Sequence, residues 1–520
     1  MPSSLIDPSK VQPRAYQQNI AASVLSDGNS LVILPTGLGK TIVALLVMDK
    51  KLQDGKKILF IAPTKPLSEQ HQKSITSLTS LPPEKVVLLT GNIAPGKRAD
   101  VWNAASVICA TPQTIENDLA AGRISVAGFG LCVVDEAHRS VKRYAYTAVA
   151  EACKQNGVQL LGLTASPGGK KERIDEVVNA LGITNIEIRT ETDPDVAPYV
   201  KQIDATVVEV DLPPAFLRLK RSLEEIIVSR LEPLHKMRLI PTTNPRLPKR
   251  LLLDAGKKLF AFPNSNRMKF IMLSHYATAM NLTHTQELLE TQGLSAFLSF
   301  FAKLQAREEK SKAVRRILED PRIKELLIHA EEARQALDHP KLVKLVEVVK
   351  ARKGKKMIVF VQFRDQVKRV VQELEKNGIT ARQFVGKKDG VKLKDQQAAL
   401  ADFREGKFEV LVASSIGEEG LDIPSVDTVI FYEPVPSEIR LIQRRGRAGR
   451  SKSGEVVFLV TKGTRDEAYH YASKSREKKM RSIVGKMQAG FGGKAQKPSG
   501  EKKVERNLKA GQAKMTEFFE

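Results

Sequence analysis

The chain has 520 residues, with 83 Lys plus Arg against 59 Asp plus Glu and a formal net charge of +24. That length exceeds one ordinary core and fits two to four domains, and so basic a chain expects a polyanion. Hydrophobic residues make up 42%, yet no apolar run reaches the ~18 residues of a membrane helix, which excludes a helical membrane protein.

The first residues, MPSSLIDPSKVQPRAYQQ, show no charged-then-apolar signal segment, so a cytosolic (archaeal-type) or nuclear location is expected. Residues 1–214 then hold short β-rich apolar runs at 30–34, 57–62, 86–90, 107–110, 131–135 and 159–164. Helical stretches separate most of them, an alternation that predicts an α/β unit with a parallel sheet buried on both faces. Cys109, Cys132 and Cys153 each lie in or beside such a run and read as reduced core residues, with neither disulfide nor zinc spacing. Residues 215–335 change to helical apolar spacing and predict an inserted helical domain. Residues 336–473 return to strand runs at 357–361, 381–385, 408–413, 428–432 and 455–460, giving a second α/β lobe and a cleft between the two. Residues 474–520 read as a basic tail, rich in Gly, Lys and Pro beyond about residue 485 and expected to be disordered. The four segments carry net charges of 0, +9, +7 and +8, so the whole excess lies outside the first lobe.

The clearest chemistry is LPTGLGKT, residues 34–41, between a strand and a helix. Thr36, Gly37 and Gly39 form a loop whose N–H groups can face phosphate, Lys40 reaches the terminal phosphates, and Thr41 can ligate Mg²⁺. Leu34 stands where the strict phosphate-loop pattern has its first glycine. The partner is VVDEAH, residues 133–138, which ends another apolar strand. There Asp135 can hold Mg²⁺ and Glu136 can orient or deprotonate the attacking water. The third element is IQRRGRAGR, residues 442–450, in the second lobe. Arg447 and Arg450 are candidate arginine fingers for the γ-phosphate, whereas Arg444 and Arg445 read as a basic contact with nucleic acid.

Together these residues resemble a superfamily 2 DEAH-type helicase, from about residue 10 to about 470. RAYQ, ending at Gln17, resembles the adenine-reading Gln motif; APT (Pro63, Thr64) and ATPQT (Thr111) resemble motifs Ia and Ib. LTASP (Thr164, Ser166) is similar to the motif III that couples ATP to strand movement. VFVQFR (Gln362), SSIGEEGLDIP (Ser414, Ser415, Gly420, Asp422) and QRRGRAGR (Gln443, Arg447, Arg450) resemble motifs IV, V and VI. The helical insertion makes the chain look most like the archaeal Hef and eukaryotic FANCM helicases, with RIG-I and Dicer helicases as cousins. That resemblance implies two RecA-like lobes and ATP-driven remodelling of forked or branched DNA. It implies ATP and Mg²⁺ as cofactors, a nucleotide-sensing loop at Gly420 and Asp422, and sequence-independent backbone contacts from Pro63, Thr64, Thr111, Gln362, Ser414 and Ser415. An RNA helicase or duplex-RNA-stimulated ATPase is the alternative, and an ATP-switched DNA-binding scaffold a second. The last residues, QAKMTEFF, place Gln512, Met515, Phe518 and Phe519 at the spacing of a peptide that binds the sliding clamp PCNA.

Overall fold

The structure, a computed structural model, describes residues 4–491 except 143, 169, 201–202, 265–266, 337, 387–392, 415–423, 436 and 446–453. The first lobe is a seven-stranded parallel sheet: β1 (Ser30–Ile33), β2 (Lys57–Ile61), β3 (Val86–Leu89), β4 (Val107–Ala110), β5 (Phe129–Asp135), β6 (Gln159–Thr164) and β7 (Asn185–Ile188). Their order is β3-β4-β2-β5-β6-β1-β7. The six expected strand runs are β1 to β6, of which β3 is an edge strand; the central five are largely apolar because helices cover both faces. Leu31, Leu59, Ile61, Cys132 and Val134 enter one core, and the alternate residues Val32, Ile58, Phe60 and Val133 enter the other. All three cysteines are buried free thiols.

The second lobe is a six-stranded parallel sheet: β8 (Ile203–Val210), β9 (Met357–Phe360), β10 (Ala381–Phe384), β11 (Val410–Ala413), β12 (Thr428–Phe431) and β13 (Gly454–Thr461). The order is β10-β11-β9-β12-β13-β8. β8 lies before residue 214, in the segment that charge and pattern assigned to the first lobe, yet it pairs along its whole length with β13, from Ile203 opposite Gly454 to Val210 opposite Thr461. The helices between β8 and β9 are therefore an excursion of the second lobe. As an edge strand exposed over most of its length, β8 has no need of the apolar run that marks a central strand.

That excursion is a bundle of helices Pro214–Lys236, Lys249–Ala261, Arg267–Thr291, Leu294–Gln305, Lys312–Leu318 and Pro321–Ala336. Leu223, Ile227, Leu259, Leu282, Phe297 and Phe301 form its core. Gly256 lets two helices touch, since a Cβ there would sit 2.6 Å from the Tyr276 ring. The bundle meets the second sheet through buried polar groups. Lys220 Nζ lies 3.3 Å from Glu290, and Glu290 accepts the Arg465 backbone N–H at 3.1 Å. Gln292 donates to Glu433, which also accepts the Gln362 N–H at 3.0 Å; burial pushes the Glu433 carboxyl up to about 7. Beside them the Lys341 ammonium meets Asp466, both side chains fully buried, and lies 5.3 Å from the centre of the Tyr432 ring.

The helix Arg465–Phe491 crosses residue 474, where the basic tail was expected to begin. It leaves β13 and packs on the first lobe, where Met480 is buried in the core and Ile483 and Met487 lie against it. Its periodic apolar face was masked in the sequence by the surrounding Lys and Arg. Residues 492–520, with Gln512, Met515, Phe518 and Phe519, lie outside the described residues. Among the described residues, no helix is long and apolar enough to cross a membrane.

Removing one partner of the Lys341–Asp466 pair strands a buried charge. Lys341→Met is expected to lower stability by about 3–5 kcal/mol in denaturant titrations, and adding Asp466→Asn to recover part of that loss.

Candidate nucleotide site and nucleic-acid edge

Parallel sheets put every strand's carboxyl end at one edge, so the loops after β1, β5 and β6 are neighbours by topology. The loop after β1 turns at Gly37 and Gly39, with φ of 88° and 78°, a left-handed conformation that favours glycine. A side chain at Gly39 would collide with the Gln17 amide. Gln17 and Tyr16 hold this loop directly: the Leu38 carbonyl accepts from Gln17 Nε2 at 3.1 Å and from the Tyr16 hydroxyl at 2.7 Å. Leu34 is buried, and its N–H donates to the Thr164 carbonyl at 3.1 Å, tying the phosphate loop to β6. Lys40 Nζ donates to the Leu34 carbonyl at 3.0 Å and begins, with Thr41, the helix Lys40–Gln53. The helix's N-terminal N–H groups face the loop, an arrangement suited to phosphate.

Asp135 ends β5 and is buried. His71 donates from Nε2 to its carboxylate at 2.8 Å, and the Tyr146 hydroxyl donates to its backbone carbonyl at 2.7 Å. Burial raises the Asp135 carboxyl, but His71 and then Lys40 outweigh it and hold it below the ordinary carboxylate value. Glu136 adopts φ 50° and ψ 47°, unusual for a non-glycine residue and a form of strain concentrated at functional sites. Its Oε2 is buried, lies 3.3 Å from His138 Nδ1, and makes no hydrogen bond; Thr36 Oγ1 is likewise buried without a partner. His138 Nδ1 lies 3.2 Å from Thr164 Oγ1, and Ser166 N donates to that oxygen at 3.1 Å. Ser166 Oγ then donates to Met480 Sδ at 2.8 Å, on the helix that comes from the second lobe. Candidate hydrolytic and coupling residues thus form one chain of contacts reaching across the cleft.

A hard cation fits this donor set: an ionised Asp135, the Thr41 hydroxyl and substrate phosphates. Among the described residues there is no group of three or more His, Cys, Asp or Glu that could hold a metal ion.

The second lobe faces the loop through the helix Glu438–Arg445. Thr36, Gly37 and Leu38 from one lobe and Ile442, Arg445 and Met480 from the other line one cavity. Arg444 corrects the expectation of a nucleic-acid contact: it is fully buried, 4.8 Å from the Phe360 ring centre and 5.9 Å from that of Phe431. Arg445 is 3.3 Å from Glu477 and 3.9 Å from Glu191. Ser415, Gly420, Asp422, Arg447, Arg450 and the Gln443 side chain lie outside the described residues.

The nucleic-acid candidates follow other strands, at the carboxyl edges of the two sheets. Thr64 follows β2 and caps the helix Lys65–Leu78, its hydroxyl accepting the Leu67 N–H at 3.4 Å; Pro63 precedes it. Thr111 follows β4 and precedes the helix Pro112–Ala120, its hydroxyl 2.9 Å from that of Thr114. Gln362 follows β9, exposed, and Ser414 follows β11, its N–H donating to Phe384 at 3.1 Å. β4 and β2 are adjacent, as are β11 and β9, so each lobe presents one paired edge. Sequence reasoning missed His71 and Tyr146, and missed Arg14 and Tyr199, which line the cavity with the guanidinium 4.7 Å from the ring centre. An isolated His or Tyr carries no local pattern; only the placement of its helix reveals it.

Comparison with known proteins accords with this geometry. Residues 10–169 match the family "Type III restriction enzyme, res subunit", residues 340–452 the "Helicase conserved C-terminal domain", and residues 216–336 the "Putative ATP-dependent RNA helicase, helical bundle". A putative ATP-dependent RNA helicase of Methanocaldococcus jannaschii is 40% identical over 93% of this chain and 62% of its own. The ATP-dependent DNA helicase mph1 of Neurospora crassa is 34% identical over 88% of this chain. The chain therefore spans 62% and 42% of the length of these two relatives. The crystal structure of the Pyrococcus furiosus Hef helicase domain is similar over 90% of this chain and 100% of that one, with 46% identity and a TM-score of 0.71. With its motifs on two parallel-sheet lobes and a full-length match to that domain, the chain belongs to the superfamily 2 helicases, ATP-dependent enzymes, alongside the Hef helicase domain.

Proposed function

We propose that this chain is a nucleic-acid-stimulated ATPase that translocates on and remodels forked or branched DNA in replication-fork repair. One observation carries the reading: the cavity at the phosphate loop is built by both lobes, so a nucleotide there bears on how the lobes meet. ATP lies between Gln17, the Lys40 loop and Asp135, and Mg²⁺ at Thr41 and Asp135 supplies charge neutralisation of the phosphates. Glu136 takes the proton of the attacking water as its oxygen bonds to the γ-phosphorus and the bond to the β-phosphate breaks. Arg447 and Arg450, with Gln443, bring the opposing lobe to the developing charge, and Gly420 and Asp422 sense the nucleotide. Thr164 and Ser166 couple this to strand grip by Pro63, Thr64, Thr111, Gln362, Ser414 and Ser415, which hold backbone and read no bases.

DNA is favoured by the relatives named as DNA helicases, and by the clamp-like spacing of Gln512, Met515, Phe518 and Phe519, which couples the motor to PCNA. RNA is the second reading, favoured by the relative named as an RNA helicase; ATPase stimulation by forked DNA against duplex RNA separates them.

Lys40→Ala is expected to abolish ATP hydrolysis while leaving the unfolding midpoint unchanged; a folded variant that hydrolyses normally overturns the assignment. A wild type that binds ATP without turnover would instead indicate a switched scaffold. On the bundle, Arg250, Lys257 and Lys258 are exposed. Changing all three to Ala is expected to weaken forked-DNA binding more than single-strand binding, and to lower the log–log salt slope by about 0.9 for each phosphate no longer neutralised. Removing the last nine residues should abolish clamp binding in a pull-down and leave ATPase intact.

A further inference from the structure

The helix Lys65–Leu78 has one end at the nucleic-acid edge and its middle at the nucleotide site. Its N-terminus is Thr64. One turn on, Ser68 is buried and donates to the Ala110 carbonyl at 3.0 Å, at the end of β4 and next to Thr111. Three residues further, His71 is 7% exposed, with its ring centre 4.3 Å from that of Phe60, and its Nε2 reaches Asp135 Oδ2 at 2.8 Å. Phe60, on β2, packs against one face of the imidazole, and because His71 is carried by the helix a displacement of that helix moves the donor relative to Asp135. A hydrogen bond of this kind weakens steeply with distance and angle, and a charge-assisted one is worth roughly twice a neutral one. The carboxylate proposed to hold Mg²⁺ is thus oriented by a residue on the element that begins at the strand-gripping threonine.

We propose that His71 is a positioning residue: it holds one oxygen of Asp135 in place and transmits the seating of nucleic acid at Pro63 and Thr64 to the metal side of the nucleotide site. The inference rests on the reading of the nucleotide and nucleic-acid sites given above. Neither sequence pattern nor the nucleotide chemistry assigns His71 a part. By linkage, the same contact makes bound Mg²⁺–nucleotide favour nucleic-acid binding by an equal factor.

The test uses the full chain and three proteins: wild type, His71→Leu, which keeps bulk and loses the donor, and His71→Gln, which keeps an N–H at comparable reach. Binding of a fluorescent non-hydrolysable ATP analogue is followed by anisotropy as Mg²⁺ is titrated, with and without a single-stranded oligonucleotide, and thermal unfolding is recorded for each. In the wild type the oligonucleotide is expected to lower the Mg²⁺ half-saturation concentration by about fivefold or more. In His71→Leu that concentration should rise about tenfold and the oligonucleotide effect fall within about twofold of none, while His71→Gln restores most of both. A His71→Leu protein with wild-type half-saturation and oligonucleotide effect overturns the proposal. So does His71→Gln as impaired as His71→Leu at an unchanged unfolding midpoint, since bulk and not the donor would then be at issue. A wild type that binds no Mg²⁺–nucleotide overturns the functional reading itself, and this inference with it.

Discussion

The register of the parallel ladder through β2, β5, β6 and β1 is the constraint on which the rest depends. Ile61 stands opposite Val134, Asp135 opposite Leu163, and Thr164 opposite Ile33. The strands that lead into the glycine loop, the acidic pair and Thr164 thus stop within about one residue of the same level. Their side chains are buried on both faces, each worth about 1.5–3 kcal/mol, and a one-residue slip would exchange the two cores. Hydrophobic burial fixes the register, and the register brings Lys40, Asp135 and Thr164 to one edge of the sheet.

The second lobe is tied to the first by softer contacts. Arg445 reaches Glu191 of the first lobe only at 3.9 Å, both side chains partly solvated, and a pair of this kind contributes little net stability. Met480 enters the first core through a flexible thioether that repacks readily. Within the second lobe the joints are harder: Lys341–Asp466 and the Glu290 and Glu433 contacts are buried. Because the bundle arises between β8 and β9, it moves with the second lobe, and Glu433 ties its Gln292 to the backbone of Gln362 at the strand edge. Firm joints inside the second lobe and softer ones between the lobes are what the proposed nucleotide-dependent closure requires.

Central strands were legible in the sequence because burial on both faces leaves an unbroken apolar run, and the nucleotide loops because glycine and charge stand at fixed spacing after such runs. The edge strands divide: β3 and β10 still stand out in the sequence, whereas β7 and β8 do not, β8 being exposed over most of its length, with Val207 40% exposed, and so without need of that run. The helix Arg465–Phe491 is hidden in the sequence by its charge: Met480, Ile483 and Met487 lie at helical spacing among Lys and Arg. Arg444 was misread for a related reason. Its neighbours Phe360 and Phe431 come from β9 and β12, so only the folded sheet shows that the guanidinium has aromatic faces to lie on.

Glu136 shows how these levels meet. A left-handed glutamate costs of order 1–3 kcal/mol, and its neighbours must hold it there. Tyr146 holds the preceding carbonyl, and the Arg139 N–H bonds to the Glu136 carbonyl at 3.0 Å, so the backbone is fixed on both sides of the turn. What remains is a buried carboxylate oxygen with no hydrogen bond, beside His138 and one residue from an Asp135 that His71 already engages. Burying that oxygen costs free energy, which the hydrophobic burial that holds the first lobe's sheet offsets. The turn thus keeps a carboxylate oxygen buried at the carboxyl edge of the sheet, where the proposed hydrolysis needs an acceptor for the attacking water.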